Sequence, residues 1–150
     1  MSFPLPAAMR IALDLAAQAA RSGEVPVGAV ITRGDDVIAS AANNMLRGTD
    51  PTAHAEMQVI RAAGIKLGSQ RLGECDLWVS LEPCAMCAGA ISHARIRRLY
   101  YAADDPKGGA VDHGPRFFSQ PTCHHRPEVY GGIGGAEAGV MLRNFFAARR

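Results

Sequence analysis

Few of the features that mark specialised protein classes occur in this sequence. Only four of its 150 residues are cysteine, too few for a disulfide framework, so stability has to come from a buried apolar core. With 48% hydrophobic and 20% charged residues, the chain can build such a core as one domain spanning 1–150. Long apolar runs are missing too. The alanine-rich stretch near the start is broken by Arg10 and Asp14, and the first ten residues, with one arginine and two prolines, do not read as a secretory leader. The expectation is a cytoplasmic protein with no membrane partner. Charge of one sign is also lacking: a net +2 and a pI near 8.5 neither demand a nucleic-acid partner nor repel one. No repeat or interdomain linker appears.

What is present is concentrated in two clusters, His54-Ala55-Glu56 and Pro83-Cys84-Ala85-Met86-Cys87. Cys84 and Cys87 are three apart. With Pro83 at the first position of a helix, both sulfurs project from one face of its first turn and can share an ion. Unpaired amides and the dipole at that helix start favour the thiolate form, and two thiolates favour zinc. His54 supplies a third ligand from another segment. Asp50-Pro51 reads as an N-cap followed by a first-turn proline, which places His54 early in a helix running to about Ala63. An imidazole and two thiolates leave the fourth tetrahedral position for water.

Glu56 follows His54 by two residues, and on a helix such neighbours point in different directions, which argues against a second ligand on the same ion. It suits a proton carrier that takes a proton from the water and returns protons to a ring nitrogen and departing ammonia. The chemistry expected is hydrolytic deamination of a base. A competing reading keeps the same three ligands in a closed structural site completed by Cys75, Cys123 or another histidine, but such a site has no use for Glu56. A Cys84–Cys87 disulfide needs an oxidising compartment that the sequence does not signal.

Along the chain, helix and strand patterns alternate. A helix is expected from Pro6 to Ser22, ended by Gly23, then strands Val25–Thr32 and Val37–Ala42 joined by an Arg33–Asp36 turn as an antiparallel hairpin. The His54 helix follows, then a loop through Gly68 and Gly73, a strand Asp76–Leu81, the Cys84 helix to about Ala94 and a strand Ile96–Ala102. Strand, helix, strand in that order implies a parallel crossover, so the sheet is mixed and covered by helices on both faces. Turn formers fill Asp105–Gly114, a long loop covers Ser119–Pro127, Glu128–Tyr130 is a short edge strand, and an amphipathic helix from Ala136 to Ala148 closes the chain.

The stretches EVPVGAV at 24–30, DPTAHAE at 50–56, LEPCAMCAGAISHARI at 81–96, DPKGGA at 105–110 and the FF…RR ending resemble the bacterial tRNA-specific adenosine deaminases, of the cytidine and deoxycytidylate deaminase superfamily, over nearly the whole chain. The resemblance implies an α/β fold, a three-layer α/β/α arrangement with a mixed central sheet of about five strands (cytidine-deaminase-like). It also implies conversion of the wobble adenosine of an arginine tRNA anticodon to inosine, by a homodimer with one zinc ion per subunit. His54, Cys84 and Cys87 then bind zinc, Glu56 shuttles protons, and the backbone near Ala55 and Cys84 surrounds the attacked carbon.

Two further positions follow from the same resemblance. Asn43 aligns with an asparagine on the flipped base, the competing reading being a turn residue. Asp105 aligns with an aspartate near the ribose 2′-OH, the competing reading being a loop cap. Lys107 is a candidate phosphate contact or a solvated lysine, and Arg95, Arg97, Arg98, Arg149 and Arg150 are candidates for an anticodon-stem groove. Pro121 to His125 departs from the family pattern; three adjacent residues Cys123, His124 and His125 cannot readily face one ion, so a second metal site is not expected there. Two other readings remain: a deaminase of a free base such as guanine, cytosine or a pterin-like ring, favoured less by DPKGGA and the terminal helix, and an RNA-binding subunit without catalysis, disfavoured by Glu56.

Overall fold

Period-two alternation in three strands sorts the core into two layers. In the computed structural model, which describes residues 4–149, the strands are β1 (Gly28–Arg33), β2 (Asp36–Ala42), β3 (Asp76–Leu81), β4 (Arg98–Ala103) and β5 (Glu128–Tyr130). Ala29 and Ile31 of β1, Leu77 and Val79 of β3, and Leu99 and Tyr101 of β4 face one core. Val30, Trp78, Tyr100 and Ala102 face the other. Helices α2 (Ala55–Leu67) and α3 (Ala85–Ala94) supply the first layer through Val59, Ala63, Ala88 and Ile91. Helices α1 (Ala7–Arg21) and α4 (Gly135–Ala147) supply the second through Met9, Leu13 and Ala138. On that second face Trp78 stacks on Tyr100 at 3.8 Å between centroids.

The sheet order is β2-β1-β3-β4-β5. The first two pairings are antiparallel and the β3/β4 and β4/β5 pairings parallel. The mixed five-stranded sheet between two helical layers is therefore the expected architecture. Because β3 and β4 run the same way, the loops after both emerge at one end, the usual place for a site in an open α/β sheet.

Boundaries differ from the sequence reading where side chains or proline intervene. Strand β1 begins at Gly28 rather than Val25, since Pro26 has no amide to donate and the Val25 carbonyl accepts from Asn43 Nδ2 at 3.1 Å. Gly28 itself is obligatory: a Cβ there would lie 2.1 Å from the Ala12 carbonyl oxygen of α1. Strand β4 begins at Arg98 rather than Ile96, because Arg95, in the left-handed region at φ 63, caps α3 and Arg97 N bonds to Cys75 O. Among the described residues no helix is long and apolar enough to cross a membrane.

Candidate active site

Two helix starts meet here, displaced by a residue or more from where the prolines suggested. Asp50 does not cap α2. Its Oδ1 accepts from the backbone and hydroxyl of Thr52 at 2.8 and 2.7 Å, forming a local turn with Pro51, and the helix begins at Ala55 with His54 as its N-cap. It continues to Leu67, beyond Ala63, until Gly68 closes it at φ 63. Pro83 likewise precedes α3, and Cys84 is the cap residue. The sharing of one face still holds, since a cap residue and the third residue inside a helix lie one turn apart.

His54 Nδ1 lies 3.6 Å from Cys84 Sγ and 3.5 Å from Cys87 Sγ. Zinc–sulfur and zinc–nitrogen bonds of about 2.3 and 2.0–2.1 Å at a tetrahedral angle place the ligand atoms about 3.5–3.6 Å apart, so the donor set and its spacing fit zinc. Among the described residues no fourth His, Cys, Asp or Glu joins this trio. The closed structural site therefore lacks its fourth ligand: Cys75 is buried in the core, and Cys123 packs by Ser92 Oγ at 3.5 Å.

The two sulfurs divide their proton unequally. The Cys87 thiol donates to Cys84, which with the Cys87 and Met86 amides and His54 brings Cys84 down to about 5 against the opposing effect of burial. The same bond, with burial and the nearby Glu56 carboxylate, drives Cys87 well above the ordinary thiol range. Glu56 is 4% exposed. Burial first, and the negative Cys84 as well, push its carboxyl up to about 7, against its own amide, His54 and the Cys87 thiol. A carboxyl at that value beside three donors of zinc spacing can both accept and release a proton at neutral pH.

Of the other sequence candidates, Asn43 and Ala55 join the site. Asn43 is buried, its Oδ1 accepting from Ala55 N at 2.8 Å and its Nδ2 donating to Val25 O. It thus ties the first amide of α2 to the chain leading into β1, and Ala55 is fully enclosed. Asp105 caps its own loop, Oδ1 accepting from Lys107 N at 3.2 Å and Gly108 N at 2.9 Å. Lys107 is exposed and lines, with Asp105, Val25, Arg143 and Phe146, a groove of about 840 Å³ along α4.

Three of the arginines stand elsewhere. Arg97 makes a two-pronged bond to Asp76 at 3.0 Å and Arg98 pairs with Glu128 at 2.8 Å, at the starts of β3 to β5, opposite the site. Arg95 donates to His124 O. Arg149 covers the Phe145 ring at 3.5 Å, and Arg150 lies outside the described residues. Cys123, His124 and His125 form no metal cluster among the described residues: the ring of His125 is engaged with Ile96 O at 2.8 Å.

The sequence reading missed two buried carboxylates. Glu24 accepts from Leu46 N and Arg47 N at 3.0–3.1 Å, and Glu82 gathers the loop after β4. Their signal was an acid set within otherwise apolar stretches, EVPVGAV and SLEPC.

Residues 5–103 match the family profile of the cytidine and deoxycytidylate deaminase zinc-binding region. A tRNA-specific adenosine deaminase of Agrobacterium fabrum is 56% identical over 95% of this chain and 93% of its own length. A solved structure from a study of A-to-I editing by tRNA:A34 deaminases at the wobble position is also 56% identical, with TM-score 0.89 over 90% of this chain and 98% of that one. A guanine deaminase from Nitrosomonas europaea, 24% identical with TM-score 0.81 over 98% and 87% of the two chains, shares the fold. The His–Cys–Cys cluster with its buried glutamate and these likenesses agree: the chain is an enzyme of the cytidine and deoxycytidylate deaminase family, a zinc-binding hydrolase family, and within it groups with the tRNA-specific adenosine deaminases.

Proposed function

We propose that this protein converts adenosine to inosine at the wobble position of a tRNA, with the arginine anticodon stem-loop as its substrate, acting in the cytoplasm as a homodimer with one zinc ion per subunit. The observation that carries this reading is the buried Glu56 beside three zinc-spaced donors in a chain 56% identical to a tRNA-specific adenosine deaminase.

His54, Cys84 and Cys87 hold the zinc, which when bound acts as a Lewis acid toward water. Glu56 takes a proton from the attacking water as its oxygen bonds to C6 of adenine, and delivers it to N1. It then carries the second proton to the amino group, so that the C6–N bond breaks and ammonia leaves the inosine behind. Burial of Glu56 keeps bulk water from short-circuiting that relay. Asn43 keeps the Ala55 end of α2 in place and presents its second amide hydrogen to the base. Asp105 has Oδ2 to accept from the ribose 2′-OH, the feature that separates RNA from DNA, and Lys107 faces a phosphate.

The test is inosine formation by the purified zinc enzyme on arginine tRNA bearing a wobble adenosine, with free adenosine, guanine and cytidine in parallel. Inosine in the tRNA alone is expected. Ammonia from a free base, with the tRNA untouched, would make this an enzyme of base salvage.

A further inference from the structure

Glu82 stands immediately before Pro83-Cys84, and its side chain is wholly enclosed. Its Oε1 accepts from Asp105 N at 3.0 Å and faces His113 Nδ1 at 2.7 Å; a carboxylate only accepts, so the ring hydrogen sits on Nδ1. Its Oε2 accepts from the amides of Val111, Asp112 and His113 at 3.1, 3.0 and 3.2 Å. The flanking backbone adds Glu82 N to Ala103 O at 2.8 Å and Ala110 N to Pro83 O at 2.9 Å. One carboxylate thus gathers both ends of segment 105–113, which carries Asp105 and Lys107, and fixes it two residues from a zinc ligand. The wrapping is tight enough that a Cβ on Gly109 would lie 2.6 Å from Glu82 Cδ and 2.5 Å from Asp105 O.

We infer that Glu82 is a positioning residue, which holds the ribose-facing loop 105–113 at a fixed separation from the zinc and Glu56 so that the nucleotide is gripped at both ends. This rests on the proposed role of Asp105. Charge-assisted bonds from amides are stronger than neutral ones and fix direction. A glutamine in the same place offers one oxygen and an NH2 group, and the NH2 group meets N–H donors it cannot accept, so one edge of the loop is released. A loop that drifts by a fraction of an ångström misplaces the ribose while leaving the metal ligands intact, and misorientation on that scale costs rate.

The experiment compares wild-type and Glu82→Gln enzymes by zinc content, amide hydrogen exchange of residues 105–113 and of α3, and kcat and KM on the tRNA anticodon stem-loop with ribose or 2′-deoxyribose at the target. The expected result is full zinc occupancy, unchanged protection of α3, faster exchange in 105–113, a fall in kcat/KM on the order of 10- to 100-fold on the ribose substrate and a smaller fall on the deoxy substrate. Exchange in 105–113 unchanged, or faster with kcat/KM intact, would overturn the proposal, as would an equal loss on both substrates. Should Glu82→Gln fail to fold, His113→Ala, which removes a single one of the five donors, is read in the same way. Asp105→Ala tests the underlying reading separately: if it leaves the ribose preference intact, the role of Asp105 fails, and Glu82 is then judged on exchange and kcat/KM alone.

Discussion

Glu56 and Glu82 are both nearly sealed from solvent, at 4% and 2% exposed, yet their surroundings drive them in opposite directions. Around Glu56 burial dominates and the Cys84 charge adds to it, so the carboxyl rises to about 7. Burial would raise Glu82 as well, but the Asp105, Asp112 and Val111 amides and the His113 ring outweigh it and hold the carboxyl below the ordinary range. Glu24, with the Arg47 and Leu46 amides, behaves like Glu82. Burial therefore does not assign a role to a carboxylate; the count of donors aimed at it does. The acid with few donors is left free to exchange protons, and the acid with many becomes a fixed anion that organises backbone.

The largest effect expected on this contrast is catalytic. Glu56→Ala should lower kcat by about 10²–10⁴-fold while zinc content, by elemental analysis, and thermal stability stay near wild type. Next comes stability. Glu82→Ala strips the acceptor from four amides, that of Val111 buried and those of Asp105, Asp112 and His113 half-buried; a buried amide left unpaired costs about 1–3 kcal/mol and the half-buried ones less, so urea unfolding should show a loss of a few kcal/mol, where Glu56→Ala shows little.

The pH dependence separates the pair further in the zinc-free protein. Glu56 has a folded pKa above its unfolded one, so its contribution to stability is complete below about 4.5 and is lost as pH rises through about 7. Glu82 has a folded pKa below its unfolded one, so its contribution is present above about 4.5 and is lost as pH falls through the folded value. Glu56→Gln should flatten the neutral limb of a stability–pH curve and Glu82→Gln the acid limb. The elevated Cys87 thiol adds that zinc must displace a proton, so apparent zinc affinity, measured by competition with a chelator, should rise with pH. The smallest effect belongs to Asn43→Ala, which removes the bonds to Ala55 N and Val25 O; a loss of about 1–2 kcal/mol with weaker zinc retention is expected.

The parts of this site legible in the sequence were those with local spacing. HAE and PCxxC point to the cluster that His54, Cys84 and Cys87 form in the fold, because within each motif three or fewer residues separate the members, and the strands declare themselves through β-branched runs. The cap positions were misplaced because Asp50 serves the Thr52 turn instead of the helix, a competition between two local hydrogen-bonding patterns that the residues Asp-Pro fit equally well. Glu24 and Glu82 stayed hidden for a different reason: their partners are backbone amides 22 to 31 residues away, and a backbone amide leaves no mark of its own in the sequence. Arg97 and Arg98 are candidates for nucleic-acid contact by sequence alone, but the parallel β3/β4 pairing places them at the far end of the strands, each against an acid.

The most direct measurement is single-turnover deamination of a wobble-adenosine anticodon stem-loop by zinc-loaded wild-type, Glu56→Gln and Glu82→Gln enzymes, each in saturating excess over the RNA. Glu56→Gln should bind the RNA and one zinc ion per subunit but form essentially no inosine, whereas Glu82→Gln should form inosine slowly and to completion. Inosine formation by Glu56→Gln at the wild-type rate would contradict the proton-carrying role of Glu56.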